Sequence, residues 1–444
     1  MRKPLCVTGY GLVLCLFALF WIASVPTPAP AAAPVVGAIS EEFLKGTMSA
    51  PKFNGEIRLG ALFPRSGSNS YLGEEAWRGM ELAMKVQNAK GGIKGKEIKI
   101  TVADAPDIQT GVSEVERLIN KEGLKVITGT FASGVSYGTT AVAERNGVFY
   151  WEATCTADNI TQRGLKYVFR ASSRMSSSAA GAVNFSKDVL APMMKIPINQ
   201  LKVAVINEDS QWGSESGKYA EQFSKEAGFQ VLAHEAYSAK AIDLSSLVLK
   251  LKTLNPDVVI AASYIPDANL FWKQARELGF MPKALIGMGS GHTARDFFKA
   301  MGSDSNGVSS ADFPQYDQNP EGAPGITEYM QLYRKTYNDE MRGPQSLVSY
   351  TSGSVLWDVL IRANSMDPEV IRKTAMETDI PIGKTPVGWG YKFAPPGDPN
   401  MGTNLRTFTA VMQWQEGKFV TVYPKQLAAG QVQFIPLRKW SERR

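Results

Sequence analysis

Ser133, Thr154 and Thr156 carry hydroxyls just beyond the ends of predicted strands. Ser133 also opens a predicted helix, so its hydroxyl and the N–H groups after it suit an anion, with the positive end of the helix dipole behind them. Ser133 fits equally well as a cap of that helix. The run Ser66-Gly67-Ser68-Asn69-Ser70 adds hydroxyls, an amide and open backbone donors at another strand end, and Tyr71 beside it offers a flat apolar face. Trp212 and Tyr264 each follow a strand C-terminus, where a large exposed ring needs a reason. Stacking on a bound molecule is one reason, and for Tyr264 packing between helices is the other. His292 suits a hydrogen-bonding ligand group, although a lone histidine is more often structural.

These residues hold rather than react. Cys155 with His292 is the one nucleophilic pairing available, and neither lies in a nucleophile motif or has an evident orienting partner. The chain contains no CxxC, HExxH or GxxxxGK[ST]. Gly287, Gly289 and Gly291 follow a late strand and lack GxGxxG spacing. No cofactor, no metal and no catalysis are expected.

The elements that must position these groups alternate. Residues 57–63 read as a strand, 74–88 as a helix with Trp77, Met80, Ala83, Met84 and Gln87 on one face, and 98–102 as a strand. Strand and helix continue to alternate to about residue 151, and a second series runs from about Met175 to 287. Such alternation predicts an α/β fold with two Rossmann-like lobes, each a parallel sheet covered on both faces.

At 444 residues the chain exceeds what one core usually serves, and 44% apolar with 20% charged residues is ordinary for a folded protein. Arg2 and Lys3 precede an apolar run over residues 5–25 and then a Pro/Ala-rich segment with small-residue cleavage options, so residues 1–33 are expected to be a secretory signal. An uncleaved anchor remains the alternative. Leu14 before Cys15 argues against a lipid-anchored cysteine. Losing Arg2 and Lys3 lowers the formal charge from +6 to +4, which is no basic stripe for nucleic acid. Cys155 is then the sole remaining cysteine, so no intramolecular disulfide is expected. Residues 34–54 read as a flexible leader.

The series Ser66-Gly67, Gly73-Glu74, Gly79, Glu81-Leu82-Ala83, Asn88, Gly91-Gly92-Ile93-Lys94-Gly95 and Asp104 resembles the N-terminal lobe of the periplasmic leucine/isoleucine/valine-binding protein family, the solute receptors of ABC importers. The likeness continues more loosely to about Trp414. It implies a type I periplasmic binding fold, in which three crossings form the hinge, near residues 170–174, 312–316 and 403–406. Lobe 1 would then hold 55–173 and 313–402, lobe 2 would hold 174–312 and 403–416, and 417–444 would be a C-terminal extension. Phe131, Ser133, Thr154 and Thr156 would meet a ligand carboxylate or its neighbourhood from lobe 1, and Trp212 and Tyr264 would close on it from lobe 2. Ser66, Tyr71 and His292 complete the expected ligand-binding set.

One departure stands out. Where amino-acid-binding members place an acidic residue for the ligand ammonium, this chain reads Met288-Gly289-Ser290-Gly291-His292. Either Glu152, Glu208 or Asp312 takes over, or the ligand has no ammonium. The resemblance implies a periplasmic monomer that delivers a small amino acid or carboxylate to an inner-membrane permease. An aromatic acid or an amide is the alternative ligand, and a ligand sensor of the same fold the alternative role.

Overall fold

The computed structural model describes residues 35–443. The expected signal segment, residues 1–33, lies outside them. No helix among the described residues is long and apolar enough to cross a membrane.

Chain order begins with a short helix, α1 (Glu41–Lys45), and continues β1 (Glu56–Phe63), α2 (Ser70–Ala89), β2 (Glu97–Asp104), α3 (Ile108–Asn120), β3 (Val126–Gly129), α4 (Ser133–Arg145), β4 (Phe149–Glu152) and β5 (Val168–Arg170). The second series holds α5 (Met175–Phe185), α6 (Ala191–Met194), β6 (Lys202–Glu208), α7 (Gln211–Glu226), β7 (Gln230–Tyr237), α8 (Ser245–Leu254), β8 (Val258–Ala262), α9 (Ile265–Glu277), β9 (Ala284–Met288), α10 (Arg295–Met301) and β10 (Ser309–Asp312). Three helices return to the first lobe, α11 (Ile326–Tyr337), α12 (Gln345–Ala363) and α13 (Pro368–Met376), before β11 (Ala410–Gln415) and β12 (Lys418–Tyr423) rejoin the second.

The lobe 1 sheet has the order β2-β1-β3-β4-β5, with every neighbouring pair parallel. Its strands are apolar on both sides, because one face packs on α2 and α12 through residues such as Leu59, Met80 and Leu356, and the other on α3 and α4 through Leu118, Ile127 and Val142. The lobe 2 sheet runs β7-β6-β8-β9-β10-β11-β12, parallel as far as β10 and antiparallel beyond it. Both sheets end their parallel strands toward a shared crevice, where open α/β sheets take ligands.

Three expectations change. The leader is built into lobe 1: Ile39 joins the core, Tyr350 Oη donates to Gly37 O at 2.7 Å, and α1 is capped by Ser40. A segment without periodicity folds here because it lies on a preformed apolar surface. The third crossing falls at 407–409, since Leu405 N–H still bonds Lys392 O and Gly390 N–H bonds Arg406 O within lobe 1. The C-terminal residues are no extension. β12 pairs with β11 along its length, and Trp440 Nε1 donates to Phe280 O at 2.9 Å, so residues 418–443 cover one end of the lobe 2 sheet.

α2 begins at Ser70, four residues before the predicted start, which lifts Tyr71 out of the loop and onto the helix. Gly73 permits this: a Cβ there would lie 2.1 Å from Pro64 O, so only glycine lets the first turn sit on the end of β1.

Candidate functional site

The loops after β3 and β4 are fastened to each other by one buried carboxylate. Glu152 accepts N–H groups of Thr130 (2.8 Å), Thr154 (3.1 Å) and Cys155 (3.0 Å), and the hydroxyl of Ser136. Burial raises its pKa and these donors pull it back. With its oxygens so occupied, Glu152 is a brace and not a ligand partner.

Between the lobes lies a narrow, nearly closed cavity of ≈ 20 Å³. Lobe 1 and the hinge wall it with Phe131, Thr154, Thr156, Phe313 and Gln345, and lobe 2 with Met175, Ser178, Trp212, Tyr264, Gly289, Ser290 and Asp312. Trp212 and Tyr264 stand 4.9 Å apart by ring centroid, and Tyr264 reaches to 6.3 Å from Phe131 across the cleft. The sequence had placed all three rings here. Thr156 presents a hydroxyl with no hydrogen bond among the described residues, while its carbonyl is held by Met175 N–H at 2.7 Å.

Other expected members stand elsewhere. Ser133 is buried outside the lining and its hydroxyl accepts from Ala157 N–H at 3.3 Å; the helix N-cap is Ala132, so Ser133 is not the cap. Thr154 lines the cavity, but its hydroxyl donates to Thr130 O and its N–H to Glu152, so its donors are consumed within lobe 1. Ser66 is exposed and its N–H caps Asp104. Tyr71 sits at the cleft rim, its ring 4.8 Å from the Arg342 guanidinium and 5.8 Å from Lys299 Nζ. Burial and then the Asp296 carboxylate push its hydroxyl pKa up, which makes it a contact between the lobes.

His292 is a correction of a different kind. It turns inward behind β9, wholly buried against Phe297, with no partner on either ring nitrogen. Burial lowers its pKa to about 3, so the ring is neutral. Gly287 makes the room: a Cβ there would lie 2.6 Å from His292 Cβ. Cys155 is buried too, its thiol pushed well up by burial and then by Glu152, and it touches Thr130 rather than His292. That geometry offers no nucleophile.

Of the three acids considered for an ammonium, Glu208 is engaged by Ser210 N–H and hydroxyl, and Asp312 alone lines the cavity. Met175, Ser178, Phe313 and Gln345 were not anticipated. They lie on helices, or for Phe313 just past the end of β10, where facing is decided by lobe packing and leaves no local signal.

The lobes also grip each other beside the cavity. Glu215 of α7 accepts the N–H groups of Asp158 (2.7 Å) and Asn159 (3.2 Å), and Gln211 Nε2 donates to Asn159 Oδ1 at 2.6 Å. Asp158 in turn receives the N–H and hydroxyl of Ser176. Burial and then the Asp158 charge raise the Glu215 pKa to about 7.

Comparison with known proteins agrees with this architecture. The family model described as periplasmic binding protein matches residues 56–416. A Leu/Ile/Val-binding protein homolog 7 of Brucella suis is 37% identical over 378 residues, covering 85% of this chain and 94% of the relative. A homolog 8 from Brucella abortus is 37% identical over 380 residues, covering 85% and 93%. Among solved structures, a leucine binding protein of Thermotoga maritima has TM-score 0.71 at 21% identity, covering 82% of this chain and 97% of that one. A solute binding protein of R. palustris in complex with benzoate has TM-score 0.69 at 19% identity, covering 86% and 100%.

Proposed function

This chain belongs to the periplasmic binding protein family, and from that premise we propose that it is the extracytoplasmic solute receptor of a branched-chain amino acid type ABC importer. It captures a small amino acid or carboxylate between its lobes and hands it to a membrane permease as a monomer, without covalent chemistry of its own. The observation that carries this reading is the cavity walled from both lobes, with Phe131 on one side and Trp212 and Tyr264 on the other. Apolar walls with a few polar groups are what small-molecule clefts need. A solute touching both walls favours the closed form over the open one, which is the condition for ligand-driven closure.

The three rings also favour a second ligand class, a flat aromatic acid, as the benzoate complex of the R. palustris neighbour illustrates for that protein. A thermal-shift screen of amino acids, 2-oxo acids, benzoates and short amides tests the reading. Stabilisation by a solute that is recovered unchanged supports it, and consumption of that solute, or no stabilisation by any of them, refutes it.

A further inference from the structure

The cavity contains one ionisable carboxylate and no cation. Asp312 is the only acid among its lining residues, and no Lys, Arg or His lines it. The side chain is 5% exposed, stands at the end of β10 where the chain crosses to lobe 1, and receives Phe313 N–H on Oδ1 at 2.7 Å. Oδ2 is buried with no hydrogen-bond partner. A buried acceptor left empty is costly, and a buried charge more so. Across from it stands Gly289, where an added Cβ would lie 3.5 Å from Oδ1.

Given the solute-receptor reading, we infer that Asp312 receives the protonated amine of the ligand, so that this receptor takes amino acids in preference to their deaminated acids. A benzoate or a 2-oxo acid would place a second carboxylate in the same dry space with no cation between them, and one of the two would have to take up a proton. An amino acid brings the missing cation with it. Its own carboxylate then has the Thr156 hydroxyl within the lining, away from the fully occupied Glu152. Burial raises Asp312 to about 6 against the pull of Phe313 N–H, Thr293 and Ser290, which leaves it largely ionised at neutral pH and ready for an ammonium.

The test is calorimetric titration of the chain, stripped of ligand by unfolding and refolding, with each L-amino acid, its 2-oxo acid, benzoate and isobutyramide, on wild type and Asp312→Asn. The expected result is at least one amino acid bound about a hundred-fold or more tightly than its 2-oxo acid, with Asp312→Asn losing at least about thirty-fold in that affinity and most of the discrimination. Equal or better binding of 2-oxo acids or benzoate, or binding of isobutyramide alone, overturns the inference and leaves the receptor reading standing. Full discrimination retained by a folded Asp312→Asn, checked by its melting curve and by Asp312→Ser, overturns the assignment to Asp312. No binding of any probe by wild type removes both.

Discussion

Glu215 by itself should tighten the closed cleft on its ligand as the pH falls. In the closed form burial and the Asp158 charge raise its pKa from 4.5 to about 7, in spite of the two N–H groups it accepts. Asp158 and Asn159 belong to lobe 1 and Glu215 to lobe 2, so opening the cleft removes both causes and returns the carboxyl toward its ordinary value. A carboxyl whose pKa is higher closed than open favours closure when protonated. That contribution is complete below pH 4.5 and is lost as the pH rises through 7. The full shift corresponds to about 2.5 kcal/mol between pH 5 and 8. Glu215 keeps an edge to solvent, which lowers the expectation to about 1–2 kcal/mol, or roughly five- to thirty-fold in affinity. Asp312 titrates in the same range and acts on the ligand directly, so the assay is the ratio of wild-type to Glu215→Gln affinity, in which Asp312 cancels. Calorimetry at pH 5, 6.5 and 8 should show that ratio moving in favour of wild type as the pH falls. A ratio constant across the range refutes the reasoning.

Two further outcomes follow from the packing. His292→Leu removes a neutral, unpartnered imidazole, so ligand affinity should stay within about twofold of wild type; a loss beyond about tenfold would restore His292 to the site. Because burial lowers the His292 pKa, the unfolded chain alone takes up its proton below about pH 6.5. The fold therefore loses about 2 kcal/mol from this residue between pH 7 and 5, a loss that His292→Leu should abolish in urea melts. Gly79→Ala should destabilise lobe 1 on the order of 3 kcal/mol, because its Cβ would lie 2.0 Å from Ser346 O where α2 crosses α12. A melting temperature equal to wild type would show that the two helices part more easily than their contact implies.

Much of the fold was legible because parallel strands buried on both faces write themselves as short apolar runs, and β1, β3, β6 and β8 all do so. The rings of the cleft were legible for a related reason: Phe131, Trp212 and Tyr264 lie just past strand ends, where bulky apolar side chains have little local justification. Hydroxyls were not. Ser133 opens α4 and Thr154 shares the loop of Thr156, but the Ser133 hydroxyl accepts from Ala157 N–H and that of Thr154 donates to Thr130 O, and nothing in the residue types distinguishes an engaged hydroxyl from an open one. His292 was misjudged because the inward turn of its loop depends on the missing side chain of Gly287 opposite it. Asp312 was legible only as one of three acids, since its exclusive access to the cavity follows from Glu152 and Glu208 being occupied.

The account rests on a small solute being enclosed between the two lobes, and small-angle X-ray scattering of the ligand-stripped chain, before and after saturation with the solute that stabilises it, tests this most directly. The account predicts a smaller radius of gyration on saturation, reversed when the solute is dialysed away. An unchanged radius at saturation would contradict it.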